Sequence, residues 1–319
     1  MILGRFWRLS LLVILAIVSS AGCSTRGLLG EVQDNLQKGF QVEPGGKLTL
    51  DSDLGSVEVT SGTGNTVDIR VGRNLKANSK EDAEKILKDM SIDIHQEGKN
   101  VFVTARLKRG GLFGSNWGNH IQLKFMIIVP SKYDLDLKTA GGSIRVNDLE
   151  GSVAAHTSGG SLHFGQIAGP VTAHTSGGSI HLDGGKGSVD VNTSGGSIKI
   201  GKVAGSVKAH TSGGSISVDE VMGAIQASTS GGSVSATISQ QPGAESELNT
   251  SGGSVHVRLK RDLNINLLAK CSGGSISTDI PLTVQGEIGK SRLEAKLNQG
   301  GPQLYLHTSG GGISISELK

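Results

Sequence analysis

The sequence predicts an all-β protein: a parallel β-solenoid of ~18-residue rungs behind an N-terminal β-rich cap that contains one short helix. Three observations carry that expectation. First, the phrase Thr-Ser-Gly-Gly-Ser, or a close variant, begins at Thr139, Thr157, Thr175, Thr193, Thr211 and Thr229, each 18 residues after the last. It returns at Thr250, Cys271 and Thr308, after 21, 21 and 37 residues. A fixed short period marks a solenoid, whose units stack because none can bury its apolar face alone. Second, short strands alternate strictly around each phrase, as in Ile180-His181-Leu182 after it and Val189-Asp190-Val191-Asn192-Thr193 before it. Third, the chain has 49 glycines and only 3% aromatic residues, which suits a thin repetitive core filled by Ile, Val and Leu rather than a thick aromatic one.

Residues 1–22 read as a signal peptide. Arg5 and Arg8 lead an apolar run from Leu9 to Val18, and small residues follow. That run is about half of the roughly 20 residues a spanning helix needs. Ala21-Gly22-Cys23 resembles the lipobox of bacterial lipoproteins, with Ser20 where that motif usually has Leu, Val or Ile. The resemblance implies acylation of Cys23, so the expected membrane contact is a lipid anchor. Ser24 after the lipid site resembles the outer-membrane sorting signal of cells with two membranes. Residues 23–39 are polar and are expected to be a tether.

Residues 40–138 lack the 18-residue period and are expected to form the cap. Phe40-Gln41-Val42, Lys47 to Leu50 and Ser56 to Val59 alternate like strands, separated by Pro44-Gly45-Gly46 and Leu54-Gly55 turns. Ser79 is placed as the N-cap of a short helix ending near Met90. Strands are then expected from Ile92 to His95, Val101 to Leu107 and Ile121 to Val129. The loop between the last two carries Leu112, Phe113 and Trp117 among glycines, a candidate contact loop for lipid or a partner. Folding back over the cap is the plainer role for it.

Residues 139–319 are expected to be the solenoid. Side chains alternate faces along a strand, so the Val, Ala and Thr of Val171-Thr172-Ala173-His174-Thr175 point inward together. The motif Thr is therefore an interior residue, and Cys271 occupies the same column. Gly-Gly is expected to supply backbone angles for a tight corner. The flanking hydroxyls are expected to bond the corner's peptide groups and the hydroxyls of the next rung, about 4.8 Å away. The 37-residue gap implies one degenerate rung between Ile280 and Gln303. The far end, Ile313 to Lys319, has no evident cap, leaving an edge that Glu317 and Lys319 blunt or that another molecule pairs with.

The pattern Phe40-x-Val42-x-Pro44-Gly45-Gly46-x-Leu48, then Gly55-Ser56-Val57-x-Val59, a short helix, a strand to Val129-Pro130 and the repeated Thr-Ser-Gly-Gly-Ser resembles the bacterial putative-adhesin family of β-strand-repeat domains of unknown function. The resemblance spans about residues 40–319. It implies a β-helical protein of the cell envelope without an established activity.

Charge and cysteine content narrow the function classes. Loss of residues 1–22 removes Arg5 and Arg8 and no acid, leaving 29 basic against 28 acidic residues. Without a clustered basic footprint, nucleic acid is not an expected partner. With Cys23 acylated, Cys271 has nothing in the chain to pair with, so no disulfide is expected.

Histidines are the most chemically suggestive residues. His156, His174 and His210 share one outward column, broken by Asn192, and His163 and His181 share another, with His256 further along. Same-column imidazoles about 4.8 Å apart are within bridging reach of one Zn²⁺. A structural zinc site wants four ligands, and no Cys or carboxylate recurs beside either column, so no metal or other cofactor is expected. A glycan-processing enzyme needs paired carboxylates. The outward positions after the motif, from Arg145 to Ser277, hold no acid, and Asp183 and Asp219 share a turn column two rungs apart. No catalytic residue is assigned, and an enzyme is not expected.

The function expected is that of a lipid-anchored, non-enzymatic envelope protein whose rigid polar solenoid serves adhesion or envelope interaction. A scaffold or envelope-stress component is the alternative, binding another protein through the distal edge or the Trp117 loop. A glycan-processing β-helix stands third. Possible partners besides the membrane are a glycan, the cell wall or an envelope protein.

Overall fold

The computed structural model describes residues 30–77, 84, 86–108 and 121–319. It is all-β apart from a helical turn at 84 and 86–88, from which Ile86 is buried. The expected helix start at Ser79 lies outside the described residues. The strands are divided between two long sheets of 13 and 14 strands, called A and B here, whose inward side chains form one continuous core.

Each rung sends one strand to sheet B and the next to sheet A. The first described strands are β1 (Gly30–Gln41), β2 (Lys47–Ser52), β3 (Ser56–Gly62), β4 (Thr66–Ala77), β5 (Met90–Glu97), β6 (Asn100–Leu107) and β7 (Ile121–Pro130). Regular rungs then run from β8 (Asp134–Thr139) and β9 (Ile144–Val146) through β10 (Val153–Thr157), β11 (Leu162–Ile167), β12 (Val171–Thr175), β13 (Ile180–Gly185) and β14 (Val189–Thr193). They continue with β15 (Ile198–Val203), β16 (Val207–Thr211), β17 (Ile216–Val221), β18 (Ile225–Thr229), β19 (Val234–Ile238), β20 (Ser246–Thr250) and β21 (Val255–Leu259). The remaining strands are β22 (Ile265–Cys271), β23 (Ile276–Thr278), β24 (Thr283–Ile288), β25 (Arg292–Leu297), β26 (Gln303–Thr308) and β27 (Ile313–Glu317).

The expected columns are in register. Ile144, Leu162, Ile180, Ile198, Ile216 and Val234 pair rung over rung in parallel, and all are buried. Fully burying one such side chain contributes about 1.5–3 kcal/mol, so every added rung is stabilised by the one beneath it. Thr157, Thr175, Thr193, Thr211, Thr250 and Thr308 have no exposed surface. Cys271 pairs with Thr308 in the same column and is buried, with Sγ facing the Lys290 carbonyl at 3.7 Å.

The corner works differently from its sequence reading. The motif glycines have ordinary negative or extended φ; positive φ among glycines occurs at Gly45, Gly55, Gly98 and Gly300. What demands the second glycine is clearance. A Cβ on Gly160 would overlap the Gly142 carbonyl of the previous rung, and one on Gly178 would overlap that of Gly160. A Cβ on Gly177 would meet nothing closer than 3.5 Å. The serine hydroxyls after the corner also bond backbone rather than one another: Ser179 N–H donates to Ser161 Oγ, and Ser197 N–H to Ser179 Oγ, both at 3.2 Å.

Both ends depart from chain order. Strand β2 pairs in parallel with both β8 and β6, and β3 with both β9 and β7. The solenoid therefore extends below residue 139, and β6 and β7 cover its first rung. Antiparallel β5 on β6, and β4 then β1 on β7, complete that end. Residues 30–39, expected as tether, form most of β1. Tyr133 fills this region with no exposed surface; its hydroxyl donates to the Lys99 carbonyl at 2.5 Å, and burial pushes its phenol pKa up to about 12.

At the distal end, β26 lies between β20 and β22, and β27 lies between β21 and β23. The C-terminal strand is thus interior, not an uncapped edge. The stretch expected as a degenerate rung is instead the antiparallel pair β24 and β25, laid on β22. The physical logic matches at both ends. An antiparallel pair covers the sheet B edge at each end, the C-terminal rung is held on both sides, and on sheet A β23 is the last distal strand.

Candidate functional site

Outward side chains stand in straight columns on both sheets. On sheet B one column holds His156, His174, Asn192, His210, Ser228, Asn249 and His307 in consecutive register. His156 and His174 stack with ring centroids 5.0 Å apart and planes within 4°. His210 Nδ1 lies 2.8 Å from Ser228 Oγ, and His307 Nδ1 lies 3.1 Å from Asn249 Oδ1. Asn192 separates His210 from the stacked pair, so His156, His174 and His210 do not converge. A shallow groove of about 370 Å³ opens on this face, lined in part by Asn192, Lys208, His210, Gln226, Ser228 and Asn249.

On sheet A the column runs Arg145, His163, His181, Lys199, Ser217, Ser235 and His256. His163 and His181 stack at 4.8 Å. Burial, then the neighbouring His181 and Arg145, hold the His163 pKa below its ordinary value, while Asp183 opposes them.

The structure adds a residue that the sequence reading leaves out of this face. Asp183 lies within strand β13, not in a turn, and two residues beyond His181 it faces the same way. Its Oδ1 is 2.8 Å from His181 Nε2. The ligand atoms of His163, His181 and Asp183 all lie within 4.8 Å of one another. The signal was available in the sequence as His-x-Asp on a strand. Asp219 is likewise on a strand, β17.

Cys23 and the loop residues Leu112, Phe113 and Trp117 lie outside the described residues. Among the described residues, no helix is long and apolar enough to cross a membrane.

A family model described as Toastrack DUF4097 matches residues 46–316. No curated protein matches the chain. Solved structures similar to it include a putative adhesin from Bacteroides fragilis NCTC 9343, at 12% identity over 89% of this chain and 97% of that one, with a TM-score of 0.40. A putative adhesin from Parabacteroides distasonis ATCC 8503 is similar at 11% identity over 89% and 97%, with a TM-score of 0.41. A putative lipid binding protein from the same organism is similar at 12% identity over 90% and 97%, with a TM-score of 0.38. The family match runs from the start of β2 almost to the C-terminus, taking in cap and rungs alike, and the chain belongs to the Toastrack DUF4097 family.

Proposed function

We propose that this protein is a non-enzymatic, lipid-anchored component of the cell envelope that presents a rigid polar face for adhesion or envelope contact. The observation that carries the reading is the sheet B column from His156 to His307. It sets imidazole, amide and hydroxyl groups at strand spacing along one line, above a core that fixes their positions. Regularly spaced donors and acceptors suit a repeating polymer, because each repeat of the ligand meets a polar group at the same interval. The groove lined in part by Asn192, His210 and Asn249 offers the polar donors and acceptors that an extended glycan would meet.

The membrane attachment proposed is acylation of Cys23. Cys23→Ala is expected to move the protein from the membrane fraction to the soluble one. For the face itself, the full-length chain in detergent is tested against a panel of envelope polysaccharides. Retention on at least one, without release of fragments, is expected, and the triple change Asn192→Ala, His210→Ala, Asn249→Ala should weaken it. Depolymerisation of a glycan, or retention unchanged in that triple variant, would contradict the reading.

A further inference from the structure

We infer that His163, His181 and Asp183 form a binding site for one divalent transition-metal ion on the outer face of sheet A. Two imidazoles and one carboxylate arrive there by two independent regularities of the fold. Parallel in-register pairing places His163 beside His181 on the adjacent rung. The two-residue period of a strand places Asp183 on the same face as His181. The three ligand atoms lie within 4.8 Å of one another, and His181 Nε2 is already 2.8 Å from Asp183 Oδ1.

Ligand atoms bound to one such ion at about 2.0–2.1 Å stand roughly 3–3.5 Å apart. Closing that difference requires rotation of the three side chains. Pairing of Phe164 and Ile200 with Leu182 puts Gly165 and Gly201 on either side of Asp183. The Asp148 carboxylate occupies the outward space over Gly165. Asp148 and Asp183 together offset Arg145 and Lys199, which stand one rung to either side of the histidine pair.

The donor set selects the ion class. Imidazole suits Cu²⁺, Ni²⁺ and Zn²⁺, with Cu²⁺ bound most strongly among divalent first-row ions, whereas Mg²⁺ and Ca²⁺ want all-oxygen shells. Three protein ligands leave coordination positions open to water or an exogenous anion. The second stacked pair, His156 and His174, has no carboxylate in its ligand cluster among the described residues, so it serves as the internal comparison.

The site stands independently of the envelope role. The test titrates Cu²⁺, Zn²⁺, Mg²⁺ and Ca²⁺ into the full-length chain in detergent, following heat release and, for Cu²⁺, the paramagnetic resonance spectrum. One Cu²⁺ or Zn²⁺ per chain is expected, with Mg²⁺ and Ca²⁺ silent and two nitrogen donors in the Cu²⁺ spectrum. His163→Ala should remove one nitrogen donor. Each of His163→Ala, His181→Ala and Asp183→Asn should weaken binding by about tenfold or more, the loss that even an indirect partner of a ligand can cause. The double change His156→Ala, His174→Ala should leave it unchanged. All these side chains face solvent, and an unaltered circular dichroism spectrum verifies that each variant folds. Absence of binding, binding unaffected by the three single changes, or loss only in the double variant would overturn the assignment.

Discussion

The Thr175 hydroxyl donates to the Gly160 carbonyl of the preceding rung at 2.8 Å, and it accepts from the Gly178 N–H of its own rung at 3.3 Å. One buried side chain therefore ties two corners together. The bond to the preceding rung recurs from Thr139 onto Gly55 through to Thr308 onto Gly253. The latter shows that the C-terminal rung stacks on the rung of Thr250, not on that of Cys271.

Thr193→Val tests this tie. Valine keeps the volume but removes the bonds to the Gly178 carbonyl at 2.7 Å and from the Gly196 N–H at 3.4 Å. Leaving buried peptide groups unsatisfied is expected to cost about 1–3 kcal/mol, read from the urea midpoint. Thr193→Ser, which retains the hydroxyl, should cost less. A neutral valine would mean that packing alone holds the corner.

The glycine pair makes a sharper contrast. Gly178→Ala forces a methyl group into the Gly160 carbonyl, whereas Gly177→Ala meets only ordinary contacts. The first is expected to destabilise by about 1–3 kcal/mol and the second by clearly less. Equal effects would restore a backbone-angle explanation for both glycines.

Acid should weaken the N-terminal end. Arg106 bonds Asp51 through both guanidinium nitrogens, at 2.9 and 2.5 Å, and these bonds hold the Asp51 pKa below 3.8 against the opposing effect of burial. A carboxylate with a depressed folded pKa contributes stability that is present above its unfolded pKa. That stability is lost as pH falls from about 3.8 through the folded value. Both side chains are nearly half exposed, so the contribution is about 0.5–1 kcal/mol and shrinks with salt. Asp51→Asn should lower stability at pH 7 by that amount and flatten this part of the acid limb. The same pH profile in wild type and variant would exclude the pair as its source.

Deleting residues 303–319 tests the threaded end. Without β26 and β27, strands β20 and β21 lose their distal neighbours and β22 and β23 lose the rung they rest on. Hydrogen exchange should accelerate from β20 to β25 while β10 to β16 stay protected. Unchanged protection at β22 would mean that β22 and β23 close directly onto β20 and β21.

The rungs were legible because their period is local: one 18-residue unit contains its two strands, its corner and its interior threonine. The ends were not. The insertion of β26 and β27 between earlier rungs is a long-range choice, and residues 280–303 carry alternation that serves an antiparallel pair as well as a rung. Strand β4, left unassigned by the sequence reading, and β1, read as tether, form an antiparallel pair that no repeat announces. Composition cannot distinguish a special backbone angle from a close approach, so the sequence alone points to the wrong role for the second glycine. The period is enough to align the histidine columns, but it puts Asp183 in a turn rather than on β13, which hides the third member of the cluster.

The central claim is in-register stacking of consecutive rungs, and paired cysteines test it most directly. In a Cys271→Ser background, Asp190→Cys with Lys208→Cys places two thiols opposite each other on adjacent strands. That spacing falls within the roughly 4.4–6.8 Å between Cα atoms that a disulfide requires. Asp190→Cys with Gln226→Cys places them two rungs apart, beyond that reach. Mild oxidation should close the first pair within the monomer and leave the second open; closure of the second, or failure of the first, would contradict the stacked solenoid.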